Sequence, residues 1–405
     1  MSTGEPNATS NRRTIVAVFL AGISVFLVLY ETQGLIPAIR EAYSIDTPTA
    51  SLTVSATNVA MACFLIPFSL LASRIGHARQ IVGGVILAAV LALILPFTPN
   101  PELLITVRFL QGVAIASVPA TAMAYLSLRL PPSALPGAIG VYIAGNTIGG
   151  LCSRLLTGLA AEVLGWHGGL AFTAAVALAI GLIVVWLLRR DMARSDTTPS
   201  ATAQSDTTPS DTAQSDTASP PRRIPSGLWG IYLTGFLCMI VFGGSFTMLG
   251  SRLQQDPWNL SEGTVALFFL IYLVGTVVTT YYGRLALTFT RRRLTLIGMV
   301  TAIIGACLTL VDSLPLIIIG MSLLTGGFFL GHTGASAAAS TARPGVDTTR
   351  SSAIYLTVYY LGTSLGAWLS AVLFTDFAWP GVVGMCLTSL VAVIVLTLVG
   401  FRQRQ

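Results

Sequence analysis

The chain contains no lysine, and charged residues of all kinds make up only 9% of its 405 residues. All 22 basic residues are arginines, against 16 acidic residues. Hydrophobic residues account for 54%, and the mean hydropathy of +0.78 excludes a soluble globular domain. The net charge of +6 does not indicate nucleic-acid binding, because the arginines occur in short clusters between apolar runs. This composition predicts a polytopic membrane protein.

Cysteine and histidine are also scarce, with five and three residues. The cysteines lie singly inside apolar runs, and no two of them have the spacing of a metal-binding pair. We therefore interpret them as small packing residues and expect no metal site, no cofactor and no enzymatic centre. They are Cys63, Cys152, Cys238, Cys307 and Cys386.

Long apolar runs dominate the chain, and each can cross a hydrocarbon core of about 30 Å as a helix. We identify twelve of them, six before and six after a polar linker. They cover residues 14–38, 52–73, 80–98, 102–128, 136–161, 168–188, 226–250, 263–286, 294–311, 314–340, 351–374 and 378–400. The predicted fold is an all-α membrane protein with twelve transmembrane helices in two six-helix, pseudo-symmetric bundles.

The linker between the bundles has a different composition. Residues 195–221 repeat the sequence Ser-Asp-Thr-Thr-Pro-Ser and contain almost no apolar side chains. Such a segment cannot offset the entropy cost of ordering, so we predict that it is disordered. The predicted organisation is an N-terminal tail at 1–13, a first bundle at 14–190, a linker at 191–225, a second bundle at 226–400 and a C-terminal tail at 401–405.

The arginines predict the orientation in the membrane. If the N-terminus is cytoplasmic, eighteen of the 22 arginines lie on the cytoplasmic side, and only Arg40 and Arg252 lie on the other side. The positive-inside rule favours this arrangement, which places both tails and the linker in the cytoplasm. The remaining two arginines, Arg108 and Arg154, then lie within the membrane.

One carboxylate also lies inside a predicted span. Glu31 is the only charged residue between Arg13 and Arg40, and a charge at membrane depth costs about 2.5–3.5 kcal/mol on insertion scales. Helical rise places Glu31, Arg108 and Arg154 at one level, in the outer third of the membrane. We predict that both guanidinium groups offset the carboxylate and that Glu31 carries a proton. The alternative is a static clamp between helices.

The two halves share a sequence pattern. The motif Tyr-x-x-Gly-Asn-x-x-Gly at 142–149 in the fifth span has a counterpart, Tyr-x-x-Gly-Thr-x-x-Gly, at 359–366 in the eleventh. Internal repeats of this kind are typical of transporters whose central site opens alternately to either side of the membrane.

Several motifs carry a family resemblance. Residues 108–112, Arg-Phe-Leu-Gln-Gly, fit the motif R-x-x-Q-G, and residues 145–150 fit G-P-x-x-G-G with Asn146 in place of proline. Further matches occur at 272–276, at 331–332 and at 359–362. With these motifs the chain resembles the major facilitator superfamily, specifically its drug:proton antiporter-like branch and the YnfM-like exporters. The resemblance implies that Arg108 takes part in proton coupling.

The resemblance also implies three sets of site residues. The substrate cavity would contain Tyr30, Gln33, Gln111, Tyr142, Asn146, Tyr272, His332, Tyr359 and Tyr360, although His332 can equally be a packing residue. The glycines of the antiporter motif are Gly145, Gly149 and Gly150. The cytoplasmic gating loops would contain Arg74, Gly76, Arg79, Gly283, Arg284, Arg291 and Arg292. Both loops lack the acidic residue of the family motif, so the expected gate is weakened.

The resulting prediction is a proton-coupled antiporter of the inner (plasma) membrane that exports a small amphipathic or hydrophobic compound, such as a drug. Its partners would be this substrate, protons and the lipid bilayer, with no nucleic acid and a monomeric state. One alternative is a facilitator or importer of a sugar or organic acid, in which the intramembrane charges are structural. Another is a receptor or scaffold that binds a ligand without moving it.

Overall fold

The computed structural model describes residues 8–195, 226–340 and 348–402. These residues form helices and contain no strand. The α-helices are α1 (Ala8–Leu29), α2 (Ile36–Tyr43), α3 (Thr47–Ile75), α4 (His77–Ile94), α5 (Pro101–Arg129), α6 (Leu135–Ser195), α7 (Ser226–Leu253), α8 (Glu262–Phe268), α9 (Tyr272–Thr288), α10 (Arg291–Leu308), α11 (Leu314–Ser340) and α12 (Thr348–Arg402).

The helices make twelve membrane crossings, which confirms the predicted fold. Nine helical stretches of the described chain are long and apolar enough to span a membrane, and α1–α2 and α8–α9 each count as one. Two of the nine, α6 and α12, cross twice because they leave helical geometry at Gly165 (φ 69°) and Ala378 (φ 51°). The chain reverses at Gly165, since the hydroxyl groups of Thr157 and Thr173 lie 2.7 Å apart. The twelfth crossing is α10, whose first turn carries three arginines.

Polar caps define where several crossings begin. The side chain of Asp46 accepts a hydrogen bond from the N–H of Thr49 at 3.0 Å, and that of Asn100 accepts one from Leu103 at 2.8 Å. Such caps satisfy N–H groups that have no partner inside the helix. Hydrogen bonds from the Thr49 hydroxyl and N–H hold the pKa of Asp46 below its ordinary value. Both caps precede a helix of 29 residues, α3 or α5.

The bundle ends differ slightly from the predicted bounds. The first helix begins at Ala8, inside the predicted tail, and α6 continues to Ser195, five residues past the predicted end at 190. The extension has a physical cause, because Asp191 accepts a hydrogen bond from Tyr125 and pairs with Arg129 at 3.0 Å. The remainder of the predicted linker, residues 196–225, lies outside the described residues.

Close helix contacts repeat in both bundles. A Cβ atom at either glycine of the 142–149 motif would lie within 3 Å of a carbonyl oxygen of α1, and a Cβ at either glycine of the 359–366 motif would meet α7 in the same way. The contacts pair Gly145 with Phe19, Gly149 with Ile23, Gly362 with Phe236 and Gly366 with Ile240. Each residue in the second bundle follows its counterpart by 217 positions (362 − 145 = 217). The sequence repeat therefore corresponds to a structural repeat.

Contacts between the two bundles join several helices. The hydroxyl of Ser55 on α3 donates to the carbonyl oxygen of Ser364 on α12 at 2.9 Å, and Ser364 donates back to Ser55 at the same distance. Near the Gly165 turn, a carboxylate oxygen of Glu162 accepts a hydrogen bond from the N–H of Gly263 at 2.8 Å. This turn lies at the end of the bundles remote from the linker.

Candidate functional site

The break between α1 and α2 is the centre of the site. Residues 30–35 leave the α-helix for a tighter turn, in which each hydrogen bond joins residues three positions apart. The N–H of Gln33 donates to the carbonyl of Tyr30 at 3.0 Å, and that of Leu35 donates to Thr32 at 3.1 Å. The sequence explains the break, because Gly34 disfavours a helix interior and Pro37 has no N–H to bond the carbonyl of Gln33. Glu31 and Gln33 both lie in this turn and are buried.

Glu31 pairs with Arg108, as the sequence predicts. Nη1 of Arg108 lies 3.2 Å from Oε1 of Glu31, and both side chains are inaccessible to solvent. Gln111, one turn along α5, donates from Nε2 to the same carboxylate oxygen at 2.9 Å and accepts a hydrogen bond from Arg108. The other oxygen, Oε2 of Glu31, is buried without a hydrogen-bond partner. The motif R-x-x-Q-G thus supplies both groups that hold the carboxylate.

Arg108 also binds backbone carbonyl groups of two other helices. It donates from Nη1 to Val28 at 2.8 Å and from Nη2 to Leu29 at 2.6 Å, where α1 ends. It donates from Nε to Thr53 on α3 at 2.8 Å. The last carbonyl groups of a helix lack internal partners and attract cations, so the break in α1 creates this arginine site. Arg108 consequently connects α1, α3 and α5.

Arg154 does not join this pair, and the predicted three-charge cluster is wrong. Its Nε donates to Gln33 at 2.7 Å, and its Nη1 donates to the carbonyl oxygen of Gly150. Helical rise determines only the height of a residue along its helix, whereas the direction of its side chain around the helix decides its partners. Arg154 faces the second bundle, where Nε2 of Gln33 donates to the hydroxyl of Thr247 on α7 at 2.9 Å.

Aromatic rings from both bundles surround Arg154. Its guanidinium carbon lies 4.0 Å from the ring centre of Tyr30, 4.6 Å from that of Tyr272 and 5.3 Å from that of Phe269. Tyr272 and Phe269 lie at a second helix break, the 3-10 turn Phe269–Ile271 between α8 and α9. Two interrupted helices, one from each bundle, therefore meet at Arg154. Interrupted membrane helices are a frequent feature of substrate sites in transporters.

Comparison with known proteins agrees with this architecture. The sequence model of the Major Facilitator Superfamily matches residues 14–282. The chain belongs to this superfamily. It is similar to the MFS-type transporter YybF of Bacillus subtilis (29% identity, covering 92% of this chain and 90% of YybF) and to the inner membrane transport protein YnfM of Escherichia coli (29%, covering 94% and 90%). The chain is thus a multi-pass membrane transporter for a small molecule.

Other similarities are more distant. A multidrug resistance protein of Mycobacterium tuberculosis, Stp, is 25% identical over 161 residues, which cover 39% of this chain and 30% of Stp. The fold resembles the crystal structure of a bacterial homologue of the human lysosomal transporter Spinster in an inward-facing conformation. That likeness has a TM-score of 0.71 at 17% identity and covers 98% of this chain and 96% of the homologue.

Three of the other predicted cavity residues, His332, Tyr359 and Tyr360, are aromatic neighbours on α11 and α12. His332 shares a hydrogen bond of 2.8 Å between its Nδ1 and the hydroxyl of Tyr355, and its ring stacks on Phe328 at 5.3 Å. Tyr359 lies 5.0 Å from the His332 ring, and Tyr360 packs into the core of the first bundle. His332 therefore lies in an aromatic cluster of the second bundle. This cluster continues to the Arg154 site, because Phe328 stacks on Phe242 at 4.3 Å and Phe242 lies 4.8 Å from Tyr272.

Tyr142 and Asn146 lie on α6 and pack against α1. Both contact the position of Gly22, where an added Cβ would collide with Oδ1 of Asn146 and approach the Tyr142 ring to 3.2 Å. The Tyr142 hydroxyl and Oδ1 of Asn146 are buried without hydrogen-bond partners. The next glycine, Gly150, lies beside Arg154, because a Cβ there would be 3.7 Å from Arg154 and from Tyr30.

The predicted gating loops lie at the linker end. Gly76 takes a positive φ of 91° between α3 and α4, Arg74 is exposed, and Arg79 donates to the carbonyl of Met192 at 3.3 Å. In the second bundle Gly283 is exposed and Arg284 lies over the ring of Tyr281. Arg291 and Arg292 begin α10 and are partly buried. A gating role for these residues remains a prediction.

Sequence reasoning missed two residues of the Arg154 site, Thr247 and Phe269. Thr247 had a signal, since it follows Tyr30 by the repeat distance (247 − 30 = 217). Phe269 had none, because its neighbours are equally apolar and only the 3-10 turn directs its ring to Arg154. Within the described ranges, no cluster of three or more His, Cys, Asp or Glu side chains is placed to hold a metal.

Proposed function

We propose that the chain couples proton entry to the export of a small amphipathic or hydrophobic compound. The observation that carries this proposal is the buried Glu31, whose Oε1 is held by Arg108 and Gln111 while Oε2 has no partner. A proton-coupled carrier needs a group that gains and loses a proton, and the guanidinium groups stay charged. Glu31 is the carboxylate at the helix break and is therefore our candidate proton carrier.

The turn at 30–35 provides a route from proton to substrate. Glu31 and Gln33 are two residues apart, yet Glu31 contacts Arg108 of the first bundle, while Gln33 contacts Arg154 and Thr247 at the bundle interface. Protonation of Glu31 removes its charge interaction with Arg108 and so favours a new conformation of the turn. Gln33 then moves with the same turn, which links protonation to contacts between the bundles.

The proposed orientation places the linker end in the cytoplasm, as the arginine distribution predicts. Contacts such as Glu162 with Gly263 then lie on the outer side. In the proposed cycle, such contacts separate when the site opens outward. The similarity to Stp, a multidrug resistance protein, supports export over part of the chain.

Labelling of Ser205→Cys tests the orientation. In a variant whose five native cysteines are replaced by alanine, we expect an impermeant maleimide to label Ser205→Cys only after cell lysis. A matched Asn259→Cys variant, in the turn before α8, should be labelled in intact cells. Labelling of Ser205→Cys in intact cells would contradict the proposed orientation.

A second candidate function is facilitated movement of a small solute, with Glu31 and Arg108 as a structural clamp. The three backbone carbonyl groups bound by Arg108 favour this alternative, because they fix the arginine independently of the carboxylate. The two functions differ in whether transport against a concentration gradient needs a pH gradient.

Proton flux in proteoliposomes tests the proposed function directly. Vesicles containing the wild-type chain and a trapped pH dye are exposed to tetraphenylphosphonium, ethidium, glucose or 2-naphthoate. We expect at least one compound to move protons, and a protonophore to abolish its accumulation. Saturable transport that survives the protonophore would indicate a facilitator, and binding without flux would indicate a receptor; either result contradicts the proposal.

A further inference from the structure

Arg154 is a buried cation for which the described protein supplies no carboxylate. Its residue is 4% exposed, and it forms no ion pair with any described acidic residue. Two other buried arginines differ, because Arg108 pairs with Glu31 at 3.2 Å and Arg252 pairs with Asp312 at 3.1 Å. An unpaired charge at membrane depth is costly and marks a functional position.

The hydrogen bonds of Arg154 leave one edge of the guanidinium available. Nε and Nη1 donate to Gln33 and Gly150, whereas Nη2 donates to no described residue. The guanidinium carbon lies over the rings of Tyr30 and Tyr272, 4.0 and 4.6 Å from their centres. A guanidinium that lies over aromatic rings can still donate from its edge N–H groups, and these match the oxygen atoms of a carboxylate, sulfonate or phosphate.

Arg252 shows how this protein stabilises a structural arginine. Its guanidinium also lies near two rings, those of Trp258 at 5.2 Å and Trp379 at 4.9 Å. There the chain adds a carboxylate, Asp312, within 3.1 Å. At Arg154 the rings are present and the acid is not, and the site lies where helix breaks of both bundles meet. The difference indicates that the anion comes from outside the protein.

We propose that Arg154 binds the anionic group of the transported compound, which is an organic anion with an apolar or aromatic body. The Nη2 edge receives the anionic oxygen atoms, and Tyr30, Phe269 and Tyr272 contact the body. With substrate bound, both central arginines are neutralised, Arg108 by Glu31 and Arg154 by the ligand. This assignment rests on the proposed transport function and narrows its substrate class.

Binding to the purified full-length protein in neutral detergent tests the assignment. The probes are 2-naphthoate with its neutral partner 2-naphthamide, benzenesulfonate with benzenesulfonamide, and the cation tetraphenylphosphonium, all measured by calorimetry. We expect each anion to bind about ten-fold or more tightly than its neutral partner, as charge-assisted hydrogen bonds allow. Phosphatidylglycerol, compared with phosphatidylcholine, tests a lipid headgroup as the source of the anion.

Variants separate binding from folding. Arg154→Gln should abolish the preference for anions, and Arg154→Lys should keep part of it because the charge remains. Arg252→Gln is the matched control, since it removes a buried, ring-contacting arginine away from the site, and it should keep the full preference. Dependence of phosphatidylglycerol binding on Arg154 would support the assignment with a lipid as the anion source.

Several results would overturn the assignment: equal binding of anions and amides, tighter binding of the cation, no binding of any anion, or an unchanged preference in a folded Arg154→Gln protein. If Arg154→Gln fails to fold, the comparison of each anion with its neutral partner in the wild-type protein still tests the assignment. Failure of the proposed function is a different outcome. Anion binding that depends on Arg154, without proton flux in vesicles, would contradict proton coupling and leave the binding assignment intact.

Discussion

Glu31→Gln is expected to abolish substrate accumulation driven by a pH gradient while leaving substrate binding near the wild-type level. Glutamine has the shape of the protonated carboxylic acid and can still accept a hydrogen bond from Arg108, but it cannot exchange a proton. Because the Glu31 side chain is fully buried beside Arg108 and Gln111, the variant should retain the local packing. The measurement is accumulation in reconstituted vesicles with an imposed pH gradient, together with binding in detergent.

The matched control is Glu102→Gln, which makes the same change at an exposed carboxylate in the first turn of α5. It should accumulate substrate like the wild type. Exchange of substrate across vesicles without a pH gradient should survive in Glu31→Gln, since exchange needs no net proton movement. Wild-type accumulation by a folded Glu31→Gln protein would exclude the proton-carrier role and favour the structural clamp.

Much of the fold followed from local sequence signals. Apolar length gave twelve crossings, and the glycine motifs at 142–149 and 359–366 predicted the repeat because only glycine allows such close contact with α1 or α7. The end of α6 could not be predicted, since residues 191–195 look polar and its extension depends on Asp191 meeting Arg129 and Tyr125 from α5. Contacts between distant segments decide such boundaries.

The site was predicted in part for a similar reason. A lone acid in an apolar span needs a partner, so Glu31 and Arg108 could be paired from sequence. Arg154 was assigned to the same cluster because helical rise determines depth alone. Its actual partners, Gln33 and the rings at the second helix break, depend on how α6 faces the other bundle. Sequence periodicity contains no information on that orientation.

Arg108→Ala is expected to destabilise the protein by about 3–5 kcal/mol, the usual cost of removing one partner from a buried ion pair. The change leaves Glu31 without its salt bridge and removes donors from the carbonyl groups of Val28, Leu29 and Thr53. Reversible unfolding in mixed detergent micelles measures the loss. Arg252→Ala is the matched control and should lose less, because its partner Asp312 is 73% exposed and stays hydrated.

A double variant separates the charge from the clamp. Arg108→Ala leaves the carboxylate of Glu31 uncompensated, and the added Glu31→Gln change removes that charge. The double variant should therefore be more stable than Arg108→Ala alone. The loss of stability that remains in the double variant is due to the missing hydrogen bonds from Arg108 to three carbonyl groups of α1 and α3. If Arg108→Ala lowered the free energy of unfolding no more than Arg252→Ala, the Glu31–Arg108 ion pair would contribute little to stability. If the double variant still bound anions at Arg154, the break in α1 would be shown to keep its geometry without Arg108.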